Sequence, residues 1–422
     1  MSESLQNWSA YLAVASLSDI GMRRANNQDN LSISLASNLE QWQRRGHLFI
    51  VADGMGAHAA GELASRLAVD HIPHLYGKYD DISAVEALRK SVIDANTEIH
   101  KRGQANEEFH NMGTTCSTLL LLPQGAVVAH VGDSRVYRLR QNRFEQLTFD
   151  HSLVWEMRKT GQISEEELAS GKIPKNVITR SLGPYPESKV DVEGPFPIMV
   201  GDKFMLCSDG LTGLVSDAEL GTVIANLPPE EAAQVLIDLA NLRGGHDNIT
   251  CIIVQVKHQQ LATTADGHSI SAESRGRKKL AFHPLSLAVL IGSAIMAIIF
   301  FSLGDRHTAI IPAIIFLLSL IWVIVQFIKS TQANSGHDEP LRHGEGPYVQ
   351  IKCASGKEVV DQLRGVTNQL VEAANKQKWK VDDAKLQELL AAANSASGPD
   401  AVRGFSRCIR FLMDELRNQS GR

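Results

Sequence analysis

Paired cysteines are missing from this chain, and with them a disulfide frame. The five that occur, Cys116, Cys207, Cys251, Cys353 and Cys408, are odd in number and none stands in a CxxC pair. The first three fall in or beside apolar, strand-like runs. They read as small buried hydrophobes in a reducing compartment, not as zinc ligands. A leader is equally lacking: MSESLQNWSAYLAV has no positive stretch followed by a long apolar one, so no signal peptide is expected. There is no basic stripe with interleaved aromatics, and a formal charge of -5 over 422 residues sets nucleic-acid binding aside. No cysteine is followed by arginine six positions later, which removes the cysteine-nucleophile route to phosphate chemistry. A GxxxxGK[ST] loop and the HRD and DFG sets of kinases are absent as well.

What is present is an ordinary globular composition, 44% hydrophobic and 21% charged. The length allows more than one folded unit at about 150 residues per domain. Short β-branched runs predict strands near 12–16, 47–52, 116–122, 126–131, 136–139, 203–207 and 250–256. The links at 123–125 and 132–135 are too short for parallel crossovers, so the sheet should be largely antiparallel, with hairpins at such links. Helical spacing covers 60–74, 84–101, 164–170, 217–225 and 230–242, with Ser83 and Ser216 as N-caps and Gly244 as a stop. Strands and helices interleave over residues 1–257, an α+β layer architecture.

A polar and basic linker, 258–284, carries Arg275, Arg277, Lys278 and Lys279. Two uncharged runs of about twenty residues follow, 285–303 and 309–328, each long enough to span a roughly 30 Å hydrocarbon core. The GDRHT link between them permits only a tight transmembrane hairpin, 285–328. The basic flank, with Lys329 beyond, puts both chain termini in the cytoplasm, at the inner membrane of a prokaryote. Residues 329–422 are expected to form a small cytoplasmic helical tail, with amphipathic spacing at 359–372, 382–393 and 401–416. Such a tail either binds a partner or is a solvated appendage. A chain ending near Lys257 is expected to be soluble and active without it.

Four aspartates stand where apolar runs end or begin. Asp53 follows FIVA, Asp133 follows VVAHVG, Asp209 follows FMLCS, and Asp247 lies two residues ahead of Ile249. Singly, each is a turn residue. Together they put carboxylates at the mouths of buried strands, which is costly unless protons or cations compensate. An all-oxygen set favours hard cations, Mg²⁺ or Mn²⁺. Two such ions can activate a water and offset charge on a phosphoryl group, which hydrolyses a phosphate ester with no covalent intermediate.

The segments SDIGMRRANNQD (18–29), FIVADGMGAHAAGE (49–62), MGTT (112–115), VGDSRVYRL (131–139), DHSLV (150–154), MLCSDGLTG (205–213) and GGHDNITCIIV (244–254) resemble, in order and spacing, the motifs of the protein phosphatase 2C-like (PPM) family, its bacterial members in particular. The resemblance covers about 240 residues and implies an antiparallel β-sandwich flanked by helices in four layers, αββα. It implies that Asp53 bridges two metals, with the Gly54 carbonyl on the second, and that Asp209 and Asp247 complete the first. Asp133, with Asp209, falls where the family holds a third, weaker metal. Asp29 resembles the acid that orients the metal's water, and Arg24 the arginine that takes the substrate phosphate. Without that register, Arg24 and its neighbour Arg23 are not distinguishable. His58 falls on the family's general acid; a lone histidine is otherwise a structural residue. Thr114 and Thr115 read as hydroxyls tying the core, and Asn248 as a support for Asp247. Gln28 departs from the family's usual Glu, which should weaken the second metal. Residues 155–181 resemble the flap beside the family's active site.

The resulting expectation is a metal-dependent phosphatase of phosphoserine and phosphothreonine in proteins, tethered to the membrane and opposing a Ser/Thr kinase. The alternatives are a phosphatase of small phosphate esters, or a silent module that binds phosphorylated segments.

Overall fold

A computed structural model describes residues 8–56, 59–163, 167, 174, 177–263, 343–353 and 357–420. The chain divides into two units, residues 1–270 with 342–422, and residues 271–341. The second unit lies outside the described residues, and so does the expected hairpin at 285–328. Among the described residues no helix is long and apolar enough to cross a membrane.

Two antiparallel sheets make the frame of the first unit. One runs in the order β1 (Leu12–Asp19), β11 (Ile249–Val256), β10 (Lys203–Cys207), β7 (Arg135–Arg140), β8 (Arg143–Gln146) and β12 (Val349–Lys352). The other runs β2 (Asp29–Ser34), β3 (His47–Met55), β5 (Cys116–Leu122), β6 (Gly125–Val131) and β9 (Asp191–Phe196), with the short β4 (Gly113–Thr114) beside β3. Side chains alternate between two dry faces, as the period of two requires. In β3, Phe49 and Val51 enter the core between the sheets, where Phe204, Leu206, Ile252 and Val254 meet them. Leu48, Ile50 and Ala52 point the other way, under α2 (Ala60–Lys78) and α3 (Ala84–Gln104). In β10 and β11, Met205, Cys207, Cys251 and Ile253 point under α6 (Asp217–Asn226) and α7 (Pro229–Leu242). The layers are therefore helix, sheet, sheet, helix. Shorter helices, α1 (Leu39–Arg45), α4 (Leu153–Lys159) and α5 (Asp209–Thr212), lie in the connections.

The expected caps form. Ser83 Oγ accepts from Glu86 N–H at 3.2 Å, and Ser216 with Glu219 makes a capping box at the start of α6. The link at 123–125 is a hairpin, pairing Leu122 with Gly125. The link at 132–135 is not. Val131 pairs with Cys116 in one sheet, whereas Arg135 pairs with Cys207 in the other, so Gly132–Asp133–Ser134 carries the chain across the sandwich. Gly132 permits this with φ +115, and a Cβ there would fall 2.6 Å from Thr115.

Residues 343–420 are not set apart as the sequence suggested. β12 extends the first sheet by pairing with β8, and α8 (Lys357–Gln377), α9 (Asp383–Ser395) and α10 (Gly398–Ser420) add a helical layer over α6 and α7. Val360, Leu363, Phe405, Cys408, Ile409 and Leu412 are buried in one continuous core with Leu236 and Leu239 of α7. Gly221 leaves the room that Cys353 fills; a Cβ there would lie 2.2 Å from the sulfur. Asp238 of α7 is wholly buried and takes Arg417 of α10 as its ionic partner. Burial pushes its carboxyl up to about 6, against the pull of Arg417.

Candidate active site

The candidate residues sit where the strands open at one end of the sandwich. Asp29 and Asp53 stand directly opposite each other in the β2–β3 ladder, the arrangement in which like charges repel most. Asp53 is locked in place by its backbone. Its N–H donates to Thr115 Oγ1 at 2.9 Å, and its carbonyl accepts from Thr115 N–H at 2.8 Å and Thr114 Oγ1 at 2.9 Å. The two threonines thus do more than tie the core. Thr115 Oγ1 also meets Ser134 Oγ at 2.7 Å, which links Asp53 to the turn that carries Asp133. At Gly54 a Cβ would fall 2.1 Å from the Gly61 carbonyl, so the backbone passes where no side chain fits.

Asp209 opens α5 directly after β10. The residue before it, Ser208, donates from Oγ to Asp29 Oδ2 at 2.7 Å and accepts from Thr250 N–H at 3.0 Å. Asp247 lies between α7 and β11; its Oδ1 accepts from Asn248 N–H at 2.8 Å, and its Oδ2 takes Arg24 Nη2 at 2.7 Å. The side chain of Asn248 serves another purpose than the expected support of Asp247. It donates to the carbonyls of Ile20 (2.9 Å) and Asn26 (3.0 Å) and accepts from Gln28 N–H (2.8 Å). The loop bearing Arg24 therefore hangs on Asn248. Arg23 and Arg24 are both exposed, but Arg24 pairs with Asp247 and feels the charge of Asp53 and Asp209 as well.

Electrostatics show how closely the acids converge. Asp53 is held well above the ordinary carboxylate range by burial and then by Asp29, Asp209, Asp133 and Asp247. Burial, opposed by the Ser208 and Thr250 hydrogen bonds, pushes Asp29 up to about 7. Burial and then Asp209 push Asp133 up to about 8. Asp209 is raised by burial and then by Asp247, against the opposing pull of Asp53, Arg24 and Arg135. Among the described residues no three His, Cys, Asp or Glu side chains close into a cage for an ion by themselves; Asp247 is turned to Arg24. Yet Asp29 Oδ1 and Asp133 Oδ1 are buried with no hydrogen-bond partner. Orphaned carboxylate oxygens, with no nitrogen or sulfur donor among them, fit hard divalent cations.

His58 lies outside the described residues, as do 164–166, 168–173 and 175–176 of the expected flap, with most of the short helix expected at 164–170. What sequence reasoning missed is the supporting shell. Ser208, itself held by Thr250 N–H, fixes Asp29, and His151 holds the Asp133 turn, accepting at Nδ1 from Gly132 N–H (3.0 Å) and donating from Nε2 to Asp191 Oδ2 (2.9 Å). Burial, outweighed by His151 and Arg180, leaves Asp191 at about 2. The DHSLV motif contained the signal for His151, and a polar Thr250 opening an apolar run was the signal for the other pair.

A family model for protein phosphatase 2C matches residues 22–239. Protein phosphatase PhpP of Streptococcus pneumoniae is 35% identical over 253 residues, which are 59% of this chain and 99% of that one. Among solved structures, the Streptococcus agalactiae serine/threonine phosphatase is 36% identical with a TM-score of 0.51, covering 58% of this chain and all of that one. The catalytic domain of the serine/threonine protein phosphatase PstP, solved in complex with two manganese ions, is 32% identical with a TM-score of 0.50, over 59% of this chain and 99% of that one. Each of these proteins is used up by about three fifths of this chain.

Proposed function

Because the chain belongs to the protein phosphatase 2C family, and is thus a Mg²⁺- or Mn²⁺-dependent phosphatase of serine and threonine residues in proteins, we propose that the acidic cluster is its catalytic centre. The observation that carries this reading is the meeting of Asp29, Asp53, Asp133 and Asp209 from four separate segments, with Arg24 paired to Asp247 beside them. In this reading Asp53, Asp209, Asp247 and the Gly54 carbonyl would hold two ions, and Asp133 with Asp209 would hold a third, weaker one. When bound, the ions supply a water nucleophile at neutral pH and offset charge on the phosphoryl group. Asp29, immobilised by Ser208, orients that water. Arg24 pairs its planar fork with two phosphate oxygens. His58 returns a proton to the leaving alkoxide. Gln28 can hydrogen-bond but brings no charge, so half-maximal activity falls at a higher Mn²⁺ concentration than a carboxylate would give.

Arg24→Ala tests the assignment. A charge-assisted pair lost from substrate binding should raise KM for a phosphothreonine peptide about tenfold or more, with a smaller fall in kcat. An unchanged KM would move the phosphate site elsewhere.

The uncharged runs at 285–303 and 309–328 support a tether to the cytoplasmic face of the membrane, near the phosphorylated proteins of a Ser/Thr kinase. A hairpin needs both flanks on one side, and the described ends agree with this. Thr263 N–H bonds the Ile198 carbonyl at 2.9 Å, and His343 pairs with Gly194, so the chain departs and returns beside one short segment. The full chain should therefore stay with membranes through an alkaline carbonate wash, and deletion of 285–328 should release it. Release of the full chain by the wash alone would remove the tether.

A further inference from the structure

The helix α4 leads away from the candidate catalytic cluster. It starts two residues after His151, whose N–H donates to the Gly132 carbonyl at 2.7 Å and whose Nδ1 accepts from Gly132 N–H, one residue before Asp133. The outer side of this helix meets the returning C-terminal chain. Trp155 stands edge-on to Phe149 at 5.2 Å between ring centres, and Phe149 stands edge-on to Tyr348 at 5.5 Å. Lys159, the last residue of α4, lies over the Phe149 ring at 5.0 Å and 3.8 Å from Glu345.

Tyr348 is itself firmly placed. Its N–H donates to the Gln146 carbonyl at 2.9 Å, just ahead of β12, and its hydroxyl donates to Glu193 Oε1 at 2.5 Å. Gly346 N–H takes the other oxygen of Glu193 at 2.9 Å. Glu193 is buried on β9, and among the described residues these two groups are its hydrogen-bond partners, more than 150 residues away in sequence. Gly344, at φ +74, passes so close that a Cβ would fall 1.9 Å from Glu193 Oε2. A buried carboxylate without these partners would be costly. The carboxylate on β9 and the glycines of the returning chain are thus fitted to each other, and that chain lies beyond residues 22–239, which the family model matches.

We propose that residues 343–348 are a positioning element for α4, and that Tyr348 and Glu345 act through Phe149, Trp155 and Lys159 to set the approach of a phosphoprotein to the Asp133 side of the site. The proposal rests on reading the acidic cluster as catalytic. It assigns Tyr348 to substrate recognition and leaves the phosphoryl chemistry untouched.

The test uses the full chain with Mn²⁺ and two substrates. One is a phosphothreonine peptide of about ten residues, long enough to lie along α4 at roughly 3.3 Å per residue. The other is p-nitrophenyl phosphate, which has no chain to lie there. Tyr348→Ala removes the ring and the hydroxyl, and should raise KM for the peptide about fivefold or more. Its kcat/KM for p-nitrophenyl phosphate should stay within about twofold, because neither the ring nor the hydroxyl reaches the reacting phosphoryl group. Tyr348→Phe keeps the ring on Phe149 and should recover most of the peptide KM. Glu345→Lys changes an exposed side chain, turns the attraction to Lys159 into repulsion and should move the peptide KM the same way without unfolding the protein. Equal losses on both substrates, or an unchanged peptide KM in both Tyr348→Ala and Glu345→Lys, would overturn the proposal. A parent chain inactive on both substrates would overturn the catalytic reading beneath it, which keeps the two failures distinct.

Discussion

Asp53→Asn should abolish Mn²⁺-dependent hydrolysis and, at the same time, raise the melting temperature of protein stripped of divalent ions. Both effects come from the same crowding. Asp53 faces Asp29 across the ladder, and the charges of Asp29 and Asp209 oppose its ionisation. An amide cannot ionise, so the cost of keeping this carboxyl protonated in the folded protein disappears and the protein without ions gains stability. On the assignment proposed above the ions would lose a ligand, and with it several kcal/mol of transition-state stabilisation; kcat should fall by about 10³-fold or more. In the parent protein, Mn²⁺ at a hundred times its Kd adds about 2.7 kcal/mol of stability, on the order of 4 °C, and the variant should lose most of that shift. A variant that kept kcat within about tenfold of the parent would mean that the ions are held elsewhere.

The same crowding sets a pH dependence. Asp29 and Asp133 are raised to about 7 and about 8 in the folded protein, against about 3.9 for a free aspartate. Between those limits the folded state holds protons that the unfolded chain has released. The contribution of these two carboxyls to stability without ions therefore falls as pH rises from about 4 to about 8. Mn²⁺ prefers the ionised carboxylates, so its stabilising effect should be largest at the alkaline end and fade towards pH 4. Melting curves in EDTA and in Mn²⁺ across that range would read both slopes.

The strands most legible in the sequence were those covered on both faces. The runs at 47–52, 116–122 and 126–131 are apolar throughout because helices lie on one side and the second sheet on the other. Edge strands gave little signal. β9, with Gly194 and Pro195 inside it, and β2, with Asp29, Asn30 and two serines, do not alternate cleanly. The short link at 132–135 announced an antiparallel neighbour but not which one, since Cys207 opposite Arg135 is over seventy residues distant. The aspartates were legible from their places at the ends of apolar runs. Their convergence depends on register, as with Asp29 opposite Asp53, and register is set by non-local packing. In the C-terminal region the amphipathic spacing announced helices correctly, yet an apolar stripe does not say what covers it.

That last gap changes the expected behaviour of a shortened chain. Cut after residue 263, the chain should not be a soluble, active phosphatase, contrary to the expectation for one ending near Lys257. Helix α7 explains why. Ala232, Ala233, Val235, Leu236, Ile237, Leu239 and Ala240 are all buried, and a helix apolar on every side needs cover on every side. The sheet supplies one face, and α10, through Phe405, Ile409 and Leu412, supplies another. Uncovering such side chains costs about 1.5–3 kcal/mol each, so the exposed face alone approaches the 5–15 kcal/mol that stabilises a typical domain. Asp238 would lose Arg417, and breaking a buried ion pair costs about 3–5 kcal/mol, less where the acid can take up a proton. Glu193 would lose Gly346 and Tyr348, the Gly221 notch would lose Cys353, and β8 would become a bare edge open to another chain. The shortened chain should aggregate, or melt more than about 10 °C below the full one. Supplying residues 343–422 as a separate polypeptide should restore solubility and Mn²⁺-dependent activity together. A monomeric 1–263 fragment melting within about 3 °C of the full chain would show that the C-terminal layer is an appendage after all.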